Sequence, residues 1–462
     1  MVSRTKVSQR STPFSSRIET ACSTFCCTSV VMRDAPFRED NLLSSFYPFS
    51  VAVFQSCQLI KPERRPVVDQ GLNPLAIHGY NHSMDTPALN PERQAKAREY
   101  ARIRRRLLLA DLAISGAYAL AWLLVGWSER LRDFLLSSTS NDWLVVAGFA
   151  GIFGAIFFLV NLPLSYFSGF VLPHRYGQST QSLRGWVIDQ IKGILVGGFL
   201  ALVVLEAVYY VLRAFPGLWW LWAGALLLIF NVVLANLAPV LLFPIFYKFV
   251  PLAEEHAELA RRLVRLAERA GTRVQGVYQF DMSRRTVAAN AALVGLGNTR
   301  RIILGDTLLN EFTPDEIETV LAHELGHHVH GDIPLGILVE SLITLGGLYL
   351  ASLALSWGVA VFGLTGVGDI AALPLFALVV GAYGLVTMPL GNAFSRWRER
   401  RADEYALRTT GNGAAYASAL IRLANQNLAE VDPEPWVEFL LYSHPALRKR
   451  IAMAEAGAPA EK

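Results

Sequence analysis

The sequence predicts a mainly α-helical, polytopic membrane protein of about six spans that carries one α+β lobe on the water side. Three observations predict it. Of the 462 residues, 53% are hydrophobic and the mean hydropathy is +0.34, both above the usual range of soluble chains. Six apolar stretches have the ~20 residues a bilayer crossing needs, at 107–127, 143–171, 193–212, 218–246, 334–362 and 371–392. One long polar insert, 247–333, separates the fourth stretch from the fifth. A net charge of +4, with no basic stripe interleaved with aromatics, excludes a nucleic-acid partner.

Residues 1–83 mix Ser, Thr, Arg and Cys without sustained periodicity, and they hold all four cysteines, Cys22, Cys26, Cys27 and Cys57. This segment reads as an unpatterned extension, and the functional chain is expected to begin near Met84. Everything after Cys57 lacks thiols and cannot depend on a disulfide. Residues 84–246 then supply a basic helix-forming anchor, PERQAKAREYARIRRR, and four spans. Seven Lys and Arg side chains precede the first span, Arg175, Arg184 and Lys192 follow the second, and Arg396, Arg398, Arg400 and Arg401 follow the sixth. The opposite loops, 128–142 and 363–370, are poorer in them. The positive-inside rule therefore puts both termini and the insert on the cytoplasmic side.

Within the insert, 254–270 alternates charge with Leu and Ala at helical spacing, whereas 273–280 and 300–304 read as short strands. Between the strands lies Asn290-Ala291-Ala292-Leu293-Val294-Gly295, followed by the turn signal Gly297-Asn298. Thr313-Pro314-Asp315-Glu316 has the pattern of an N-cap, a proline at the first helical position and a reciprocal Glu. A helix is expected to start there and to carry LAHELGHHVH, residues 321–330. Two further spans occupy 334–394. The tail, 395–462, should form helices over 395–410 and 414–428, parted by Gly411-Asn412-Gly413.

His323, Glu324 and His327 make the pattern HExxH. Positions four apart share one helix face, so the two imidazoles can grip one metal ion while Glu324 stands beside it as a base. With no thiol available, zinc would be held by His and carboxylate, and a catalytic site needs a third protein ligand. Glu399 is the best candidate, in SRWRERRADEYA, where Asp403 lies one turn on and could orient a histidine. The spacing alone also fits a solvated, salt-bridged face. His328 and His330 fall off the metal-facing side.

HELGH, two spans, SRWRERRAD and YSHPALRKR, in that order, resemble the type I CAAX prenyl proteases, integral-membrane zinc endopeptidases. NAALVGLGNTRRIILGDTLL and LPLSYFSGFVLPHRYG add to the resemblance, which covers most of 91–451. It implies a cytoplasmic zincin-like catalytic domain, one Zn2+ per chain, and Glu399 as the third ligand beside His323 and His327. It further implies that Asn290, with Ala291 and Ala292, lies on a substrate-binding edge strand. His444 is implied to hold the substrate or stabilise the oxyanion, and Glu206 and Glu340, inside spans, to line an internal chamber. Family members carry one more span near the N-terminus.

The expected reaction is metal-assisted peptide hydrolysis, with Glu324 taking the water's proton and returning it to the leaving amine. An extended peptide or protein, C-terminally prenylated if it follows the family, would add to the 290–294 segment by strand pairing. The other expected partner is the lipid bilayer, and nothing in the chain specifies an oligomeric state. A heat-shock-type quality-control protease shares the HExxH pattern. An intramembrane zinc protease does not fit Glu311, Asp315, Glu316 and Glu318 just before the motif, and a transporter has only Asn231 and Asn236 in its favour.

Overall fold

The computed structural model describes residues 87–457, apart from 296–299. The 1–83 segment with its cysteines and the Gly297-Asn298 turn signal lie outside the described residues. Among the described residues, five helical segments are long and apolar enough to cross a membrane: Pro91–Leu124, Asp142–Arg175, Leu183–Ala214, Asp332–Val361 and Ile370–Thr410.

Helix α1, Pro91–Leu124, starts where the Asn90 side chain accepts hydrogen bonds from the Glu92 and Arg93 amides. Its 34 residues extend ~50 Å, so the basic anchor and the first span are one rod. The loop expected at 128–142 is instead mostly a helix, α2 (Trp127–Ser138). Leu131 and Leu135, one turn apart, pack into the membrane-domain core, which turns a polar-looking stretch into an amphipathic helix. Arg132 pairs with buried Asp369 at 2.5 Å and ties α2 to the connection before the last span. Helix α3 (Asp142–Tyr166) runs on through a π turn to Arg175, and α4 spans Leu183–Ala214.

The fourth expected span, 218–246, is helical from Trp219 to Phe246 with a π turn inside it. Helix α5 (Trp219–Leu237) ends in a π turn, Ala238–Leu242, and a last α turn, Phe243–Phe246. Pro239 and Pro244 lack the N–H groups that would carry the regular ladder across this stretch.

The lobe holds a four-stranded mixed sheet ordered β1-β2-β4-β3. The strands are β1 (Phe249–Pro251), β2 (Val277–Phe280), β3 (Ala291–Val294) and β4 (Arg301–Gly305), with only β2 and β4 parallel. Helix α6 (Ala257–Arg269) buries Leu259, Leu263 and Leu266 against Ile302, Leu304 and Leu308. That spacing is an i, i+4, i+7 stripe. The short α7 (Asp306–Glu311) leads to α8 (Pro314–Val329), the HExxH helix. Its capping box forms as expected: Thr313 Oγ1 accepts from the Glu316 amide at 3.3 Å, and Glu316 Oε2 from the Thr313 amide at 2.7 Å. Gly331, at φ 65°, turns the chain into α9 (Asp332–Val361).

Helix α10 (Leu373–Thr410) joins the last span to the segment holding Glu399 without a break, so the boundary expected at 394 is the middle of a helix. Gly411, at φ 61°, ends it; α11 (Gly413–Gln426), α12 (Pro435–Leu441) and α13 (Leu447–Ala456) follow. Helices α8, α11 and α13 share the lobe's core through Ile317, Leu321, Leu325, Leu420 and Ile451.

Candidate metal centre and active site

The site forms where α8 and α10 cross. Position 326 is a glycine because a Cβ there would stand 2.9 Å from Ala402 Cα and 3.2 Å from both Ala402 O and Tyr405 Cβ. Glycine lets the two backbones touch, and the contact lies one residue from His327 and three from Glu399.

His323, His327 and Glu399 come together as the expected constellation, all buried, with one potential ligand atom from each inside a 4.8 Å cluster. His323 Nε2 lies 3.3 Å from Glu399 Oε2, and His327 Nε2 lies 3.4 Å from Glu399 Oε1. Metal–ligand bonds of about 2.0–2.1 Å in a tetrahedron imply ligand–ligand edges of about 3.3–3.4 Å. Each imidazole lies at about that separation from one oxygen of Glu399, and with one potential ligand atom from each residue within 4.8 Å of the others the residues present fit a metal. Both carboxylate oxygens of Glu399 are buried and accept no hydrogen bond within the protein. Burying a carboxylate in that condition is unfavourable unless a cation faces it.

The imidazoles are held from behind. Asp403 Oδ1 lies 2.8 Å from His323 Nδ1, within reach for the orienting role expected of it, and Asp332 Oδ2 lies 2.9 Å from His327 Nδ1. Asp403 is braced in turn. Arg450 donates to its two oxygens at 2.8 and 2.6 Å, and the Tyr416 hydroxyl donates at 2.5 Å. Burial opposes the charge on His323, yet the Asp403 and Glu399 carboxylates outweigh it and raise its pKa to about 9. Arg450 shows the same contest: burial works against its charge, and Asp403 more than restores it.

Glu324 sits on α8 next to His323, and His444 reaches the site from the turn after α12, its Nε2 3.4 Å from Glu399 Oε2. The Ser443 hydroxyl and His444 Nδ1 are 3.0 Å apart. Ala291 and Ala292 lie on β3, an edge strand paired only to β4, and Asn290 directly precedes it. The Asn290 side-chain oxygen is buried and accepts no hydrogen bond within the protein. His330 packs edge-on against Tyr405, with ring centroids 5.9 Å apart, rather than joining the cluster, and His328 is not part of it either.

Sequence reasoning missed Asp332, Gly326, Tyr416 and Arg450. Asp332 follows the motif by five residues and could have been proposed as a carboxylate within reach. Arg450 stands 47 positions from Asp403, where no local spacing rule connects them.

The model of peptidase family M48 matches residues 253–458, and that of the CAAX prenyl protease N-terminal region, described as five membrane helices, matches 84–248. An uncharacterized metalloprotease of Bacillus subtilis is 30% identical over 371 residues, 79% of this chain and 86% of its own length. CAAX prenyl protease 1 of Saccharomyces cerevisiae is 31% identical over 323 residues, 66% of this chain and 70% of its own. The crystal structure of S. mikatae Ste24p superposes with a TM-score of 0.69 at 23% identity, covering 90% of this chain and 98% of that one, and so shares the fold. These relatives set the transporter reading aside and favour the CAAX type over the heat-shock type. With its multi-pass membrane part and its convergent His, His and Glu, the chain belongs to peptidase family M48, as an integral-membrane metallo-endopeptidase.

Proposed function

We propose that this chain is a zinc-dependent endopeptidase that cuts extended peptides, C-terminally prenylated proteins among them, at the cytoplasmic face of its membrane. The observation that carries the reading is the buried cluster of His323, His327 and Glu399, with one potential ligand atom from each within 4.8 Å of the others and both Glu399 oxygens buried without a hydrogen-bond donor. Two imidazoles and one carboxylate form a zinc donor set. The cytoplasmic placement rests on the Lys and Arg flanking the spans. The lipidated substrate rests on the relatives named CAAX prenyl protease 1.

His323, His327 and Glu399 would hold one zinc ion, which supplies a Lewis acid for the scissile carbonyl and lowers the pKa of the attacking water. The protein's residues divide the remaining work. Asp403 and Asp332 fix the two imidazoles so that each Nε2 faces Glu399. Glu324 accepts the proton of the attacking water and returns it to the leaving amine. His444 Nδ1 lies 3.0 Å from the Ser443 hydroxyl, and in the tautomer with its proton on Nε2 that hydroxyl donates to Nδ1 while Nε2 can donate to the oxyanion that forms on the substrate. The free edge of β3 would bind the peptide main chain, with Asn290 at its start. Main-chain pairing of this kind selects extended conformation over side-chain identity.

The test incubates the purified, zinc-loaded full chain with a peptide library, with and without a prenylated cysteine, and maps cut sites by mass spectrometry. Cleavage that disappears in Glu324→Gln supports the reading. Equal cleavage of peptides with and without the lipid would remove the prenyl component, and no cleavage in either pool would remove the whole.

A further inference from the structure

His444 stands on a turn, and a turn needs something to hold it. Arg396 lies on α10 one helical turn before Glu399 and reaches across to the end of α12. Its Nη1 donates to the carbonyls of Glu438 at 3.0 Å and Tyr442 at 2.6 Å, with that of Phe439 at 3.4 Å. Asn392, one turn earlier on the same face, donates to Leu440 O at 2.7 Å. These carbonyls lie in the last turn of α12 and at Tyr442 just after it; that of Glu438 also accepts from the Tyr442 amide at 3.2 Å, and a cation is a favourable group at this end of a helix. Tyr442, the recipient of the shortest of these bonds, precedes His444 by two residues.

The far side of the turn is tied to the same helix. Glu438 accepts from the Ala446 amide at 3.0 Å and from Lys449 Nζ at 2.6 Å. Residues 443–445 are therefore a short span between two fixed points, both referred to α12, and α12 is referred through Arg396 to the helix that carries Glu399.

We propose that Arg396 is a positioning residue for the reaction: it sets where His444 stands relative to Glu399 and the reacting carbonyl. This rests on the reading of His444 as the oxyanion donor. All of the Arg396 contacts come from Nη1, whose two N–H groups point in fixed directions in the guanidinium plane and can serve the Glu438 and Tyr442 carbonyls together, whereas an ammonium rotates freely on a flexible stem. Misplacing a catalytic group by about 1 Å can reduce turnover by about 10²-fold. Removing an oxyanion donor outright lowers kcat by about 10²–10³-fold.

The experiment measures kcat, KM, metal content and thermal transition for the full chain, its Arg396→Ala, Arg396→Lys and His444→Ala variants, and the double variant, on the best-cut peptide of the library. Arg400→Ala, altered at an exposed position of the same helix, serves as the control. Arg396→Ala is expected to lower kcat by about 10- to 100-fold with KM and bound metal little changed, and Arg396→Lys to recover part of it. The double variant should be no slower than His444→Ala, because a positioner has nothing to position once its target is gone. Losses that multiply in the double variant would overturn the inference, as would loss of metal or of the folded state in both Arg396 variants. Parental kcat in His444→Ala would overturn the oxyanion reading itself and the inference with it.

Discussion

Gly326→Ala tests whether the approach of α8 to α10 sets the metal geometry. The added Cβ would sit 2.9 Å from Ala402 Cα, a backbone atom that no rotamer change can move aside. Carbon–carbon contacts are comfortable at about 3.5–4.0 Å, so the helices must part by roughly 0.6–1.1 Å at this point. The ligand edges of 3.3 and 3.4 Å cross the same gap. Metal sites tolerate distance errors of only about 0.2 Å, so the widened site should bind its ion about 10–100-fold more weakly. Stability changes less. Overpacking costs about 1–3 kcal/mol, and replacing a mid-helix glycine by alanine returns up to ~1 kcal/mol. The assay dialyses parent and variant against graded chelator and measures retained metal, thermal transition and kcat/KM together. Early metal loss with a small shift in the transition is the expected signature. If the variant held its metal at the same chelator concentration as the parent, the glycine contact would not be what fixes the ligands.

Four other outcomes are expected. Glu324→Gln should keep near-stoichiometric zinc and lose almost all peptidase activity, whereas Glu399→Gln should lose both, as read by metal analysis beside the peptide assay. Asp332→Ala removes the acceptor behind His327 and should weaken metal binding by about 10–100-fold, measured by competition with a fluorescent chelator. Arg450→Met leaves the Asp403 carboxylate buried without its cation and should destabilise the fold by about 3–5 kcal/mol, read as a fall in thermal transition; an unchanged transition would mean that Asp403 needs no such brace. With Cys22, Cys26, Cys27 and Cys57 changed to Ser, a single cysteine at exposed position 138 should react with a membrane-impermeant thiol reagent in intact cells, and one at exposed position 268 should not; the reverse labelling would invert the topology.

The parts legible in the sequence were those governed by local rules. Thr313 and Glu316 announce the start of α8, HExxH lies on one helical turn, and the alternation in 257–269 marks α6. Glu399 and Asp403 share a helix face, but choosing a ligand pair over a salt-bridged surface needed either the family pattern or coordinates. His444 was legible only through resemblance, because its place in the site depends on α12 and on Arg396 across the fold. The misreading of 128–142 as a loop has a local cause. Ser, Glu, Arg and Asp in 128–133 hid the apolar face of α2. Asp332, Tyr416 and Arg450 act through tertiary contacts that no periodicity reports.

Helix α10 makes the span a measuring rod for chemistry. Each helical residue advances ~1.5 Å and turns ~100°, so one residue inserted between Asn392 and Glu399 would swing the carboxylate off His323 and His327, however well the membrane segment still inserted. This stretch has a fixed phase. The 247–333 lobe cut away from the bilayer would keep two imidazoles and Asp332 and lose Glu399 and Asp403 together. The transmembrane part is thus a component of the hydrolytic centre rather than its tether, and a version of this peptidase freed from lipid would need α10 rebuilt as a water-soluble helix of the same length and rotation.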